Sequence, residues 1–293
     1  MKIKGIHYGL TLLYSYLLPV IDIEEVGNGF KFKFIYGEAH GIECAFKENV
    51  IETYCSLPSG LNLAVVRNIL GFSKHHLFKN LCSDLHISNC VSNKISLIYE
   101  QGYKKPVAHA IYLSRDTNFF LNTVKWCREA LFKGYIESSS FIPLEFKKVK
   151  HMIDVALNAR SPYEEVIGLI KVRGFGIKSA KAFLLHTYGL THEAPLDRHY
   201  VKFLGVSAPN MKKEACIGVK LSCLNLPFNC PYSYAVKRYR TYNGLVQSIV
   251  YIYDTLRSQG ANLVKILVKD PSKYLDDLER LLDRLREMPM PTI

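Results

Sequence analysis

Lys178 follows a glycine hairpin, Val172-Arg173-Gly174-Phe175-Gly176, and 19 residues later Asp197 opens the run Asp197-Arg198-His199. A lysine amine in its free-base form is a nucleophile that can form an imine. A fixed carboxylate stabilises positive charge that develops as a bond breaks. Two glycines separated by one residue allow a tight hairpin with exposed backbone N–H groups. Such a hairpin leading into a helix N-terminus can grip a phosphate without reading sequence. The nucleotide-binding phosphate loop is excluded, because Ile177 separates Gly176 from Lys178 and the required upstream glycine is missing.

These residues need helices to hold them. Ser161-Pro162-Tyr163-Glu164 reads as a helix start, with a capping serine, proline at the first helical position and glutamate placed for a capping box. The helix has room to run through Val166, Ile167 and Ile170 to the hairpin, and a second helix begins near Ile177. Ala194-Pro195-Leu196 then delivers Asp197 to the N-cap of a third. Upstream, residues 20–56 alternate as strands, most clearly Phe30, Phe32 and Phe34 against Lys31 and Lys33, with turns at Asn28-Gly29 and Gly37 to Gly41. From Leu61 onward the spacing is helical, as at Leu63, Val66, Ile69 and Leu70. The expected class is mainly α with a small N-terminal antiparallel β-sheet. Three parts are expected: a β-rich 1–60, a helical subdomain from 61–105 and 215–293, and a second, 106–214, holding the hairpin motif at 161–187. Between Pro271 and Glu287, Leu275, Leu278, Leu281, Leu282 and Leu285 form a stripe suited to packing.

The chain of 293 residues is long enough for a full core, and 38 basic against 26 acidic side chains leave +12, a balance that favours polyanionic partners. No apolar run is long enough to span a bilayer. Gly9 to Leu18 imitates a secretory signal, but Pro19-Val20-Ile21-Asp22 offers no small-residue cleavage site, so the segment reads as structure. Eight cysteines in apolar contexts read as buried reduced thiols and, with them, an intracellular location. Cys216, Cys223 and Cys230 are too few for a four-thiolate iron–sulfur cluster. We expect no cluster, no zinc and no organic cofactor.

Val172 to Ala180 and Leu196 to His199 resemble, in order and spacing, the hairpin and Val-Asp-x-His segments of the helix-hairpin-helix DNA glycosylase superfamily, with Arg173 in place of the usual hairpin proline. Leu113-Ser114-Arg115-Asp116-Thr117 is similar to the family's Leu-Ser-Gln-Gln-Thr segment, and Phe146 to Met152 to its Gly-Phe-x-x-Lys-Ala helix, without the glycine. The similarity covers residues 20–258. It implies that Lys178 attacks C1′ of a nucleotide, that Asp197 stabilises the cationic sugar, and that Arg173, Gly174, Gly176 and His199 hold the DNA backbone. A lysine at 178 marks members that also cleave abasic sites.

Tyr242-Asn243-Gly244-Leu245-Val246-Gln247, with Tyr251 one helical turn beyond, is similar to the base-reading segment of 8-oxoguanine DNA glycosylases. The resemblance gives Gln247 the edge of a flipped base and Tyr251 its face, while Ala182 stands where that subfamily often has a cysteine. The gap left in the duplex needs a plug. By position Arg115 is the first candidate, with Asp116 and Asn118 beside it. The implied partner is double-stranded DNA with a damaged base or an abasic site, bound by a monomer. A different lesion on the same scaffold, or a non-catalytic DNA-binding module, are the readings to exclude.

Overall fold

Phe30, Phe32 and Phe34 point into the core and Lys31 and Lys33 outward, so one face of β3 (Gly29–Phe34) is apolar. In the computed structural model, which describes residues 1–207, 213–219, 221–223, 230–258 and 260–289, β3 is the fourth strand of a five-stranded antiparallel sheet. Its order is β1 (Lys2–Lys4), β5 (Glu52–Ser56), β4 (Glu43–Lys47), β3, β2 (Ile21–Val26). The β2–β3 turn is shifted by one residue from the expected Asn28-Gly29. Val26 pairs with Gly29, leaving Gly27 (φ 52°) and Asn28 as the loop, and Gly29 is a strand residue where a side chain would collide with the Phe46 carbonyl. β1 was not anticipated, because three residues are too few to show a period.

The segment that imitates a signal folds as α1 (Tyr8–Leu12), buried on every side. Beyond the sheet the described residues are helical: α2 (Leu63–Ile69), α3 (Phe72–Asp84), α4 (Lys104–Leu113), α5 (Val124–Arg128), α6 (Phe141–Ala156), α7 (Pro162–Lys171) and α8 (Ile177–Tyr188). They continue with α9 (Arg198–Leu204), α10 (Lys213–Gly218), α11 (Pro231–Tyr239), α12 (Asn243–Ser258), α13 (Asn262–Leu267) and α14 (Ser272–Glu287). The fold class is the expected one, with a helix-hairpin-helix, α7 to α8, inside it. α8 lies against α4 and α7, while α12 lies against α9, α11 and α14. The leucine stripe of α14 is a packing face: Leu278, Leu281, Leu282 and Leu285 are buried.

The expectation of reduced thiols throughout is overturned at four positions. Cys44 and Cys55 are directly opposed in the β4–β5 register and form a disulfide; Cys82 and Cys90 form a second across the end of α3. Strand opposition and loop closure, neither visible in cysteine spacing, bring these pairs together. The thiol argument for an intracellular location therefore falls. Cys127, Cys216, Cys223 and Cys230 are free and buried. No described helix is long and apolar enough to cross a membrane.

Candidate functional site

Ser161 caps α7 as its sequence demands, accepting a hydrogen bond from Glu164 N at 3.3 Å with Pro162 at the first helical position. The reciprocal bond of a capping box is not made among the described residues. Val172 and Phe175, both buried, pin the two legs of the hairpin, and Phe175 N donates to the Val172 carbonyl at 3.0 Å. Its two glycines are there for different reasons. Gly174 has φ 84°, and a side chain on it would collide with the Arg115 guanidinium. Gly176, at φ −102°, has ordinary backbone geometry and open space where a side chain would stand. Neither N–H has a partner among the described residues.

Lys178 lies in the first turn of α8, exposed and without an ion pair or hydrogen bond among the described residues. One turn on, Lys181 has the opposite setting. It is buried, pairs with Glu193 and donates to the Leu221 carbonyl at 2.8 Å. Burial opposes its charge, but the Glu193 carboxylate outweighs this and holds the ammonium above the ordinary lysine value.

Asp197 occupies the N-cap of α9, its Oδ1 accepting from Tyr200 N at 2.8 Å. Its other oxygen, Oδ2, accepts from Gln247 Nε2 of α12 at 2.8 Å. Both oxygens are thus held by protein donors. Gln247 is buried, and the bond commits one of its amide hydrogens to the carboxylate instead of leaving the whole amide free. His199, two residues past the cap, shares a 2.7 Å hydrogen bond with Asp254 and lies edge-on to Tyr251 with ring centroids 5.7 Å apart. Arg198 Nε donates to His199 Nε2 at 3.2 Å. Gln247, Tyr251 and Asp254 share one face of α12 by their helical spacing, which puts all three toward α9.

Two gap-filling candidates are exposed and one is tied down. Arg115 bonds the Tyr112 carbonyl, pairs with Glu145 at 3.0 Å and lies over the Tyr112 ring at 4.0 Å. The same Glu145 meets Arg173 at 3.5 Å, so Arg115 braces the hairpin in this structure. Asp116 (φ 50°) and Asn118 are exposed, and Asn118 caps the following turn through Leu121 N at 3.0 Å.

Sequence reasoning missed Tyr16. Its ring lies edge-on to His186 (4.9 Å) and Phe119 (5.4 Å). Burial pushes its phenol up to about 12, and the nearby Asp197 carboxylate adds to that. Tyr251 is raised as well, first by burial and then by Tyr16 and Asp197. The N-terminal segment therefore comes near the Asp197 carboxylate, a long-range closure with no local signal. Asp254 was also missed, although its place seven residues past Gln247 on one helix face was available to find it.

No family model matches the chain, and no curated protein matches it in sequence. In three dimensions it is similar to the Clostridium acetobutylicum 8-oxoguanine glycosylase/lyase in complex with DNA containing cytosine opposite 8-oxoG. That similarity has 11% identity and a TM-score of 0.49, and covers 81% of this chain and 98% of that one. It is likewise similar to MBOgg1 in complex with a low-affinity DNA ligand, at 10% identity and a TM-score of 0.49, covering 82% and 99%. The chemistry of this chain therefore rests on its own residues.

Proposed function

We propose that the protein is a DNA glycosylase with abasic-site lyase activity, acting on oxidised guanine in duplex DNA. The observation that carries this reading is the setting of Asp197. A helix cap needs one carboxylate oxygen; here the second is held by Gln247 from a distant helix, with Tyr16 and Tyr251 close enough to feel the charge. A carboxylate fixed at both oxygens suits a cationic sugar better than it suits capping alone.

The assigned roles follow the elements. The hairpin amides of Gly174 and Gly176, with Arg173 and His199, hold the backbone. Lys178 Nζ bonds to C1′ as the C1′–N bond breaks, and the base departs with its electron pair and takes up the proton that Nζ gives up. The C1′–O4′ bond then breaks, O4′ leaves as a hydroxyl after taking a proton, and the Nζ lone pair closes the C1′=Nζ imine. Loss of a C2′ proton from the resulting imine expels the 3′ phosphate. Since Lys178 is exposed in the free protein, the DNA itself supplies its shielding from water. Gln247 and Tyr251 read the flipped base, and Asp116 or Asn118 fills the gap, Arg115 being engaged with Glu145. The cleft lies between the two helical subdomains, the protein works as a monomer, and it needs no metal or organic cofactor.

A borohydride-trapping panel tests this, using duplexes with 8-oxoguanine, an oxidised pyrimidine, an alkylated purine or an abasic site. We expect a covalent adduct and strand cleavage with 8-oxoguanine and with the abasic duplex. Excision of another lesion alone would reject the base assignment. Salt-sensitive duplex binding without any adduct would make the protein a binding module.

A further inference from the structure

The hairpin is gripped from behind by a residue outside the motif. Lys213, the half-buried first residue of α10, donates from Nζ to the Ile170 carbonyl and to the Phe175 carbonyl, each at 3.1 Å. Ile170 O belongs to the last turn of α7, where carbonyls lose their helical partners and a cation is favoured. Phe175 O belongs to the hairpin itself, so one ammonium joins the end of the first helix to the turn.

The geometry of the peptide unit gives this contact a consequence on the opposite side. The C=O of Phe175 and the N–H of Gly176 are one peptide group, and in a trans unit they point in opposite directions. Holding Phe175 O against Lys213 therefore turns the Gly176 N–H away from Lys213. That N–H has no partner among the described residues, and the space over Gly176 Cα is open. With no strain and no crowding to require glycine there, the open space is what close approach of a ligand to the backbone needs.

We propose that Lys213 is a positioning residue for the phosphate grip: by holding the Phe175 carbonyl it keeps the Gly176 amide aimed at a backbone phosphate. The proposal rests on the DNA-binding reading above. Lys213 makes no phosphate contact of its own in this arrangement; it acts through the peptide plane.

The test is a double-variant cycle on the full chain, with a fluorescent duplex carrying a stable abasic analogue. Lys213→Met should weaken duplex binding about tenfold, the loss of roughly one well-made contact. Lys213→Arg, which can still donate to both carbonyls, should restore it. Gly176→Ala, which places a methyl over the amide, should weaken binding by itself and leave Lys213→Met less than about twofold further to lose, because the two act on one contact. Unchanged binding in Lys213→Met, or an equal loss in both backgrounds, overturns the proposal. A second measurement is independent of DNA. The Gly176 amide resonance of the free protein should shift or broaden in Lys213→Met and return in Lys213→Arg, and an unmoved resonance also overturns it. If the parent binds no duplex, the DNA reading fails, and the Gly176 resonance alone decides whether Lys213 sets the peptide plane.

Discussion

The hairpin and the surroundings of the Asp197 carboxylate are built on opposite principles. At the hairpin the groups of interest are open: among the described residues the Gly174 and Gly176 amides and Lys178 have no partner, Lys178 is exposed, and Arg173 is 84% exposed. Around the carboxylate they are occupied, with Asp197 bonded at both oxygens, His199 bonded at both nitrogens and Gln247 committed to Asp197. An open surface suits a partner that brings its own charges. A closed one suits a reaction whose electrostatics must be set beforehand. Lys178 and Lys181 show the same divide within one helix, one amine left exposed and the other held in the core by Glu193.

The largest expected effect lies on the open side. Lys178→Gln should abolish the borohydride-trapped adduct while leaving folding and duplex binding intact, because no described residue leans on that amine. An undiminished adduct would assign the nucleophile elsewhere. Asp197→Asn comes next. The cap bond from Tyr200 N survives and Gln247 can turn its amide to match, so unfolding free energy should change by no more than about 1 kcal/mol. Base excision should nevertheless fall by orders of magnitude; excision near the parent rate would refute the electrostatic role.

Gln247→Ala separates reading the base from bracing the carboxylate. Excision of 8-oxoguanine should lose about 1 to 3 kcal/mol of transition-state stabilisation. Cleavage of a preformed abasic site should stay within a few-fold of the parent. Equal losses on both substrates would mean that Gln247 serves only to hold Asp197. The smallest effect concerns His186, edge-on to Tyr16, which burial holds down to about 3 against 6.5 for the free group. The unfolded chain binds this proton more readily, so the stabilisation is complete above about pH 6.5 and is lost as pH falls toward 3. Between pH 7.5 and 5 we expect His186 to account for about 2 kcal/mol of lost stability in urea unfolding. His186→Phe should flatten that dependence, and an identical slope in parent and variant would show that the ring does not titrate on unfolding.

The sequence carried the local features well. The Ser161 start, the glycine hairpin, the Asp197 cap and the phenylalanine alternation of β3 each depend on a few neighbouring residues, and each stands where it was expected. What it could not convey is closure between distant segments. The Gln247–Asp197 bond spans 50 residues, and Tyr16 comes near the same carboxylate from the N-terminal segment. The Cys44–Cys55 bridge follows from strand register, and the Arg115–Glu145 pair from α4 meeting α6. Composition and periodicity report what a residue prefers; they do not report which partner it meets.

The bond between Gln247 and Asp197 also works as an attenuator. A neutral amide N–H donated from a nitrogen 2.8 Å from a carboxylate oxygen draws off part of the negative potential that the oxygen projects. Any occupant that claims this hydrogen for itself returns that potential to the oxygen. On the proposed role of Asp197, the field that would assist bond cleavage therefore rises when an occupant takes up this hydrogen. On the same reading, intact duplex that leaves the amide undisturbed would meet the weaker field.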